Sequence, residues 1–250
     1  MADGVSISPI VGMGEIQPGD DLAQAILDAL AGGHESLRDG DILVVTQKVV
    51  SKAEGCVVQL SQVQPSPLAL EWAQRWDKDP RVVEVVLRQS RRIVRMDRGV
   101  LIAETFHGLV CANAGVDRSN VSADTVTLLP PDPDASAERL RQALSERTGR
   151  RLGIVISDTF GRAWREGQTN VAVGVAGVAP LRDFEGALDP AGYQLRVTLL
   201  ATADEIASAA ELVMGKLDRV PVALVRGLES ALGAGTAQQL VRPAGTDMFR

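Results

Sequence analysis

The stretch Leu152-Gly153-Ile154-Val155-Ile156-Ser157-Asp158-Thr159 decides the fold class. It begins with an unbroken apolar run, which is typical of a strand buried on both faces, and it ends with polar side chains. The run Ile42-Leu43-Val44-Val45 has the same character and ends at Thr46-Gln47-Lys48. A helical pattern precedes each run, over residues 20–32 and 137–148. Because only 3% of the residues are aromatic, Val, Ile, Leu and Ala must build the core, and this mixture predicts an α+β fold with mixed sheets and flanking helices.

The remaining segments extend this α+β pattern and place one boundary. Three prolines within Pro130-Pro131-Asp132-Pro133-Asp134 favour an extended linker, so the single domain of residues 1–250 is expected to consist of two interwoven parts with a subdomain boundary near residues 130–135. Beyond this linker, Ser136 is expected to cap the following helix. The other predictions are strands over residues 5–11, 90–96, 99–102, 109–111 and 221–225, helical structure over 67–87 that is interrupted at Asp79-Pro80, and a helix that starts at Thr202 with capping-box spacing and runs to Met214.

Composition and charge exclude several classes of function. The net charge is −6 and the isoelectric point is near 5.1, so the chain lacks the broad positive field that binds nucleic acids or anionic membranes. No segment approaches the roughly 20 apolar residues that span a bilayer, and the first residues lack a leader pattern, which makes the cytoplasm the expected address. Cys56 and Cys111 stand alone in apolar stretches and are expected to be buried thiols in a reducing compartment.

Polar residues at the end of the 152–156 run indicate metal and phosphate chemistry. Ser157, Asp158 and Thr159 are followed within a dozen positions by Arg162, Arg165 and a Gln-Thr pair. Carboxylate and hydroxyl oxygens are the ligands that Mg²⁺ or Mn²⁺ prefers, and guanidinium groups match the geometry of phosphate and carboxylate. The alternative is that Asp158 caps a helix and that the arginines pair with acids on the surface.

A second segment, residues 107–120, ends in a similar way. Its apolar part leads into Asp117, Ser119 and Asn120, so two acidic strand ends could hold one metal ion between them and leave positions open for phosphate oxygens and water. His107 is either a hydrogen-bonded structural residue or a ligand. A zinc site is not expected, because two histidines and two cysteines scattered along the chain do not supply tetrahedral ligation.

The chain contains no Walker motif, and no GxGxxG follows a strand, so any phosphate-binding site must be of another kind. Lys48 and Lys52 lie next to Gln47 at the end of the first apolar run, where ligands often bind in α/β sheets. The loop 12–16 could approach a nucleotide with its backbone. The alternative is that both lysines are simply solvated and that the loop is an ordinary turn.

Four ordered blocks resemble the coenzyme F420:L-glutamate ligase family. They are residues 46–55 (TQKVVSKAEG), 111–120 (CANAGVDRSN), 157–162 with 167–169 (SDTFGR and GQT), and 207–215 (ASAAELVMG). The resemblance covers nearly the whole chain. It implies the F420 γ-glutamyl ligase-like fold, an intertwined homodimer, and an enzyme that uses GTP and a divalent metal to add L-glutamate to the deazaflavin coenzyme F420-0 and to extend a γ-linked polyglutamate tail.

The resemblance also implies roles for individual residues. Asp117 and Asp158 match ligands of one Mg²⁺ or Mn²⁺ ion, Thr159 matches a ligand of a second ion, and K⁺ is a further candidate. In the implied mechanism GTP phosphorylates the acceptor carboxylate, the amine of glutamate attacks the acyl phosphate, and Lys52 and Arg162 stabilise the developing charge. The positions that match nucleotide contacts are Met13, Gly14, Glu15, Ile16, Gln47, Lys52, Asn120, Met214, Gly215 and Lys216.

The chain departs from the family pattern in places, and these departures concern single contacts rather than the reaction class. Gln47 stands where some relatives carry Ser, and residues 12–15 replace a common Gly-Leu-Pro pattern. Residues 245–250 resemble the junction that leads into a nitroreductase-like domain in actinobacterial two-domain relatives, which leaves open whether this is a ligase domain of a longer protein or a stand-alone enzyme. Two other classes also stay open: a metal-dependent phosphohydrolase and a GTP-binding regulatory module.

Overall fold

The computed structural model describes residues 4–119 and 124–248, which form a mixed α and β fold. The strands are β1 (Ser6–Ile10), β2 (Ile42–Thr46), β3 (Val57–Gln59), β4 (Ser90–Asp97), β5 (Val100–Thr105), β6 (Val110–Ala112), β7 (Thr125–Thr127), β8 (Gly153–Arg162), β9 (Arg165–Ala176), β10 (Arg182–Asp183), β11 (Leu199–Leu200) and β12 (Val222–Arg226). The helices are α1 (Leu22–Gly32), α2 (Gln47–Ala53), α3 (Pro67–Trp76), α4 (Pro80–Arg88), α5 (Pro133–Thr148) and α6 (Thr202–Met214).

A five-stranded sheet in the order β1-β12-β2-β8-β9 forms the centre of the molecule. Its strands β2 and β8 are parallel, with Thr46 opposite Ser157, whereas the other neighbouring pairs are antiparallel. Leu43 and Ile154 pack in a core with α1 and α5 on one face, and Val44 packs with α6 on the other. Because both faces are covered, the central strands need apolar residues at every position, which explains the unbroken runs.

A second part of the fold is built from residues 57–127. It contains the three-stranded antiparallel sheet β4-β5-β6, the pair β3-β7 and the helices α3 and α4, and it has its own apolar core around Leu60, Leu101 and Val126. The central sheet takes its strands from both sides of this segment, so the two parts are interwoven, as the sequence predicts. The chain returns from the second part to the central sheet between Thr127 and Pro133.

Two cap predictions are wrong: another residue caps α5, and α6 has no side-chain cap. The helix after the proline-rich segment starts at Pro133, and Asp132 caps it by accepting a hydrogen bond from Ala135 N at 2.9 Å. Ser136 therefore lies inside the first turn. At α6 the N-cap is Ala201, which makes no side-chain cap, so Thr202 does not form the expected capping box.

The strand β8 is longer than its apolar run suggests. It continues through Asp158 to Arg162 because it pairs with β9 as far as Arg165, forming a two-stranded arm. The alternative that Asp158 caps a helix is therefore wrong. Asp158 accepts a hydrogen bond from the nitrogen of the next residue, Thr159, at 2.9 Å, and lies within a strand.

Among the described residues, no helix is both long and apolar enough to cross a bilayer. The longest of them, α5, has 16 residues and faces the central sheet with Leu140 and Leu144. Its start lies close to β9 at Gly174. A Cβ atom on this glycine would lie 2.4 Å from the carbonyl oxygen of Pro133, so only glycine lets the two segments approach this closely.

The Gly174→Ala substitution is therefore expected to lower the free energy of unfolding by about 1–3 kcal/mol, because the backbone of α5 would have to move away from β9. Urea denaturation measures this change. Gly161→Ala is the matched control in the same hairpin, since a Cβ there meets nothing within 4 Å. Equal stability of the two variants would contradict the close approach.

Candidate active site

The candidate site lies at the edge of the central sheet where β2 ends and where β8, which continues in the arm with β9, loses its pairing with β2. Because Thr46 lies opposite Ser157, the residues that follow each strand emerge side by side. The chain after Thr46 turns into α2, which carries Lys48 and Lys52, whereas β8 continues into Asp158. Polar residues predicted at two separate chain positions therefore meet at one place.

Asp117 reaches this edge from the second part of the fold. A short turn with positive φ angles at Asn113 and Ala114 redirects the chain after β6, and Asp117 then exchanges two backbone hydrogen bonds with Thr127, at 3.1 and 2.9 Å. Its side chain forms an ion pair with Lys48, with 2.8 Å between Nζ and Oδ2. The nitrogen of Ser119 donates to the other carboxylate oxygen at 2.6 Å, so Asp117 is held firmly.

The electrostatics show that Asp117 and Asp158 are neighbours. Burial raises the pKa of Asp158 to about 6, and the charge of Asp117 adds to the rise, while the Thr159 amide, Lys48 and Lys216 oppose it. Burial also acts to raise the pKa of Asp117, but the hydrogen bonds from Lys48 and Ser119 outweigh it and hold that pKa below its ordinary value. The structure thus brings together the two predicted metal ligands.

Thr159 lies in a chain of hydrogen bonds between the hairpin and α6. Its hydroxyl donates to Asn170 Oδ1 at 2.8 Å and accepts from Lys216 Nζ at 3.0 Å. Asn170 in turn donates to Glu211 at 2.8 Å. Gly215 follows α6 with a φ of 61°, a conformation that favours glycine, and this turn lets Lys216 reach Thr159.

The predicted nucleotide loop is fixed from both sides. Met13 and Ile16 pack against the apolar core, so any contact with a nucleotide would come from the backbone or from Gly14 and Glu15, which are exposed. Glu15 forms an ion pair with Lys52, which joins the loop to α2. Met214, at the end of α6, is also a buried core residue.

Two buried polar atoms at this edge have no hydrogen-bond partner among the described residues. They are Gln47 Nε2 and Ser157 Oγ, on adjacent strand ends. Gln47 Oε1 accepts a hydrogen bond from Ser51, so its amide nitrogen is the donor that is left over. An unpaired buried donor costs roughly 1–3 kcal/mol, and a bound ligand or water would relieve that cost.

Two other candidate residues, Arg162 and His107, make their hydrogen bonds away from the acidic pair. Arg162 is four positions beyond Asp158 along an extended strand, roughly 13 Å away between Cα atoms, and it donates to Glu166 O within the hairpin. Asn120 lies outside the described residues. Nε2 of His107 lies 2.9 and 3.1 Å from the carbonyl oxygens of Pro130 and Pro131, so it must donate to them, as a structural histidine would.

Sequence reasoning missed several residues of this site. Asn170 and Glu211 were not predicted, although Asn170 directly follows the Gln-Thr pair. Their roles depend on strand pairing and on contacts between distant segments, which local patterns do not show. Lys48 was recognised as a nearby cation, but its contacts were not. It pairs with Asp117 and also contacts Ser119, which lies 71 residues farther along the chain.

The side chains at this edge have the chemistry of a Mg²⁺ or Mn²⁺ site. Asp117, Asp158 and Thr159 supply hard oxygen donors, and the mutual repulsion of the two carboxylates would be relieved by a cation. In the described part of the chain no three His, Cys, Asp or Glu residues gather around one point, so phosphate and water oxygens would have to complete the coordination. Burial raises the pKa of the nearby Cys111 to about 12, with the charge of Asp158 adding to the rise, which keeps it a thiol rather than a metal-binding thiolate.

Comparisons with known proteins agree with the resemblance seen in the sequence. The family model described as F420-0:Gamma-glutamyl ligase matches residues 11–227. The coenzyme F420:L-glutamate ligase of Methanothermobacter thermautotrophicus is 47% identical over 250 residues, covering 99% of both chains. The enzyme of the same name from Methanopyrus kandleri is 44% identical over 98% of this chain and 97% of its own. That from Methanocaldococcus jannaschii is 42% identical over 86% of each chain.

The pKa of Asp158 leads to a stability prediction for the metal-free protein. Because burial raises this pKa from 3.8 to about 6, the folded state holds the proton more tightly than the unfolded state, so stability falls as the pH rises between these values. At about pH 7.5, Asp158→Asn is therefore expected to raise the free energy of unfolding by roughly 1–2 kcal/mol, after allowance for partial exposure.

Urea titrations at about pH 7.5 and about pH 3 measure this effect, and most of the gain should disappear at the lower pH, where Asp158 is mainly protonated in both states. The asparagine keeps an oxygen for the Thr159 amide, so the comparison isolates the charge. A gain that is equal at both pH values, or a loss at the higher one, would contradict the raised pKa.

Proposed function

The chain belongs to the F420-0:gamma-glutamyl ligase family, and on that premise we propose that it is a GTP- and divalent-metal-dependent ligase that joins L-glutamate to coenzyme F420-0 and then extends a γ-linked tail. The observation that carries the proposal is the meeting of Asp117 and Asp158 beside Lys48 at the shared carboxyl edge of β2 and β8. The name of the relatives supports coenzyme F420 and L-glutamate as the substrates. The arrangement of Asp117, Asp158 and Lys48 supports a reaction on a metal-bound triphosphate.

The reaction needs an activated acceptor, because a carboxylate has a poor leaving group. In the first step a carboxylate oxygen of the acceptor attacks the γ-phosphorus of GTP, forms an acyl phosphate and displaces GDP. The amine of L-glutamate then attacks the acyl carbon, a C–N bond forms, inorganic phosphate leaves and the amine loses a proton. Both steps move negative charge onto phosphate oxygens, which positive side chains stabilise.

The chain supplies those positive charges around the acidic pair. Lys48 and Lys216 lie close enough to lower the pKa of Asp158, and Lys52 is buried beside the loop that contains Glu15. These three lysines are placed to neutralise the triphosphate. Gln47 Nε2, buried and without a partner among the described residues, is a free donor for nucleotide or substrate at the same edge.

The proposed metal ions fit the same residues. Asp117 and Asp158 would hold one Mg²⁺ or Mn²⁺ ion and Thr159 a second, and the bound ions would neutralise charge on the phosphate oxygens. Asn170 and Glu211 keep the Thr159 hydroxyl in one orientation through their hydrogen bonds. The backbone of Gly14 is exposed beside Lys52 and is available to the nucleotide.

The proposal also includes a homodimer. Large apolar side chains that stay exposed in a single copy support it, since exposed apolar patches commonly mark interaction surfaces. Trp164 lies at the turn of the β8–β9 arm, where it has 81% of its surface exposed. The large apolar side chains that are still more exposed are Val197, Leu212, Leu217 and Met248.

Incubation with GTP, Mn²⁺, L-glutamate and F420-0 is expected to give a product heavier by one glutamyl residue, detected by mass spectrometry. Asp117→Asn should lower the rate roughly a hundredfold or more, because the metal contributes several kcal/mol to charge stabilisation. Asp28→Asn is the matched control, since Asp28 is exposed on α1 and contacts Gln24 only through a hydrogen bond that Asn can keep.

An acceptor whose carboxylate carries ¹⁸O distinguishes the mechanisms. An acyl phosphate requires one labelled oxygen to appear in the inorganic phosphate, whereas unlabelled phosphate would rule that intermediate out. Rapid GTP hydrolysis without glutamate and F420-0 would instead favour a phosphohydrolase. Tight GTP binding without turnover under any of these conditions would favour a regulatory module.

A further inference from the structure

The strand β4 gives this acidic chain a local positive surface. Residues 90–112, which form β4, β5 and β6, contain four arginines, Arg91, Arg92, Arg95 and Arg98, against two carboxylates, Asp97 and Glu104. The chain as a whole has a net charge of −6. The side chains of Arg91 and Arg95 are 66% and 72% exposed, so most of this positive charge faces solvent.

The register of the small sheet shows which residues share this surface. Arg92 lies opposite Glu104, which lies opposite Val110, and the next row is Arg95, Ile102 and Ala112. Side chains directly opposite each other in a sheet point to the same side. The guanidinium of Arg91 lies 3.7 Å from Glu104 and so reaches the same side. We call this surface the arginine face: Arg91, Arg92, Arg95, Ile102, Val110 and Ala112.

The arginine face adjoins the candidate active site. β6 is the edge strand of the small sheet, and the chain leads from Ala112 through one short turn to Asp117. β6 also packs against β8, and Cys111, which points to the other side of β6 from Ala112, has its pKa raised in part by the charge of Asp158, so β6 itself lies beside the acidic edge. Adjacent strands are about 4.8 Å apart, so β4 lies about 10 Å from β6 across the arginine face.

We propose that the arginine face binds the anionic tail of the acceptor, an inference that rests on the proposed function. Joining glutamate through its amine removes one acceptor carboxylate and adds two, so each cycle leaves the acceptor with one more negative charge. A γ-linked glutamyl unit spans roughly 6 Å when extended. With the reacting carboxylate beside β6, a tail of two added units is long enough for its α-carboxylates to reach β4, which lies about 10 Å from β6.

The three arginines of this face differ in the ion pairs that they form within the protein. Arg92 holds the buried carboxylate of Glu104 at 3.0 Å, so its removal would leave that charge poorly paired inside the fold. Among the described residues, Arg95 pairs at 3.1 Å with Asp97, whose side chain is 46% exposed. Arg91 makes a longer contact with Glu104 that Arg92 can replace. Arg91 and Arg95 are therefore available to a ligand at little cost to the fold.

The test compares the double variant Arg91→Ala/Arg95→Ala with the native chain and with Arg150→Ala. Arg150 is a matched control, because it is exposed, has a single surface ion pair with Asp39, and precedes β8 at the opposite end of the central sheet. Steady-state rates are measured with F420-0 and with its monoglutamyl and diglutamyl forms. Equilibrium dialysis of the same three acceptors, without GTP, measures binding independently of turnover.

The double variant is expected to raise the KM and Kd of the glutamylated acceptors roughly five- to tenfold, with a smaller change for F420-0. The kcat and the KM values of GTP and L-glutamate should stay within about twofold, and Arg150→Ala should behave as the native chain. Added salt should weaken binding of the diglutamyl acceptor to the native chain more than to the double variant.

The results separate this inference from the proposed function. Unchanged acceptor KM and Kd in the double variant, or an equal increase for GTP, would overturn the arginine face as the tail site while leaving ligase activity in place. If the native chain makes no product but binds the diglutamyl acceptor more tightly than the double variant does, the proposed function fails and the anion site stands. No binding of any acceptor to the native chain would overturn the inference.

Discussion

The parallel pairing of β2 with β8 is the constraint on which the site depends. It brings the end of β2 beside the point where β8 leaves the central sheet, so that α2 and the β8–β9 arm emerge side by side. Asp117 is then drawn to this edge by its ion pair with Lys48 on α2. Without the shared edge, the two aspartates would belong to separate parts of the fold, and no cation could contact both.

The two carboxylates are not equally satisfied. Asp117 accepts hydrogen bonds from Lys48 and from the nitrogen of Ser119, whereas Asp158 accepts one from the nitrogen of Thr159. Burial, with less compensation from hydrogen bonds, raises the pKa of Asp158 to about 6. Asp158 is therefore the group that would gain most from a bound cation. The hydrogen bond that Thr159 donates to Asn170 and the one that it accepts from Lys216 keep its side chain in place beside Asp158.

Local sequence patterns predicted the central strands and the polar residues at their ends, because burial on both faces requires unbroken apolar runs and ligands gather where such strands end. They failed where two local interactions compete. Asp132 capped α5 in place of Ser136, and β9 supplied hydrogen bonds that carried β8 past Asp158. The pairing of Lys48 with Asp117 and the link from Asn170 to Glu211 arise from tertiary contacts, which no single segment encodes.

The central claim is that Asp117 and Asp158 share one cation that binds with the nucleotide. Electron paramagnetic resonance titration of Mn²⁺ in the presence of a non-hydrolysable GTP analogue tests it most directly, with Asp117→Asn, Asp158→Asn and the double variant compared in a cycle. Each single substitution is expected to weaken Mn²⁺ binding strongly, and the double variant should lose little more than either one. Mn²⁺ affinities unchanged by either substitution, or losses that simply add, would contradict a shared ion.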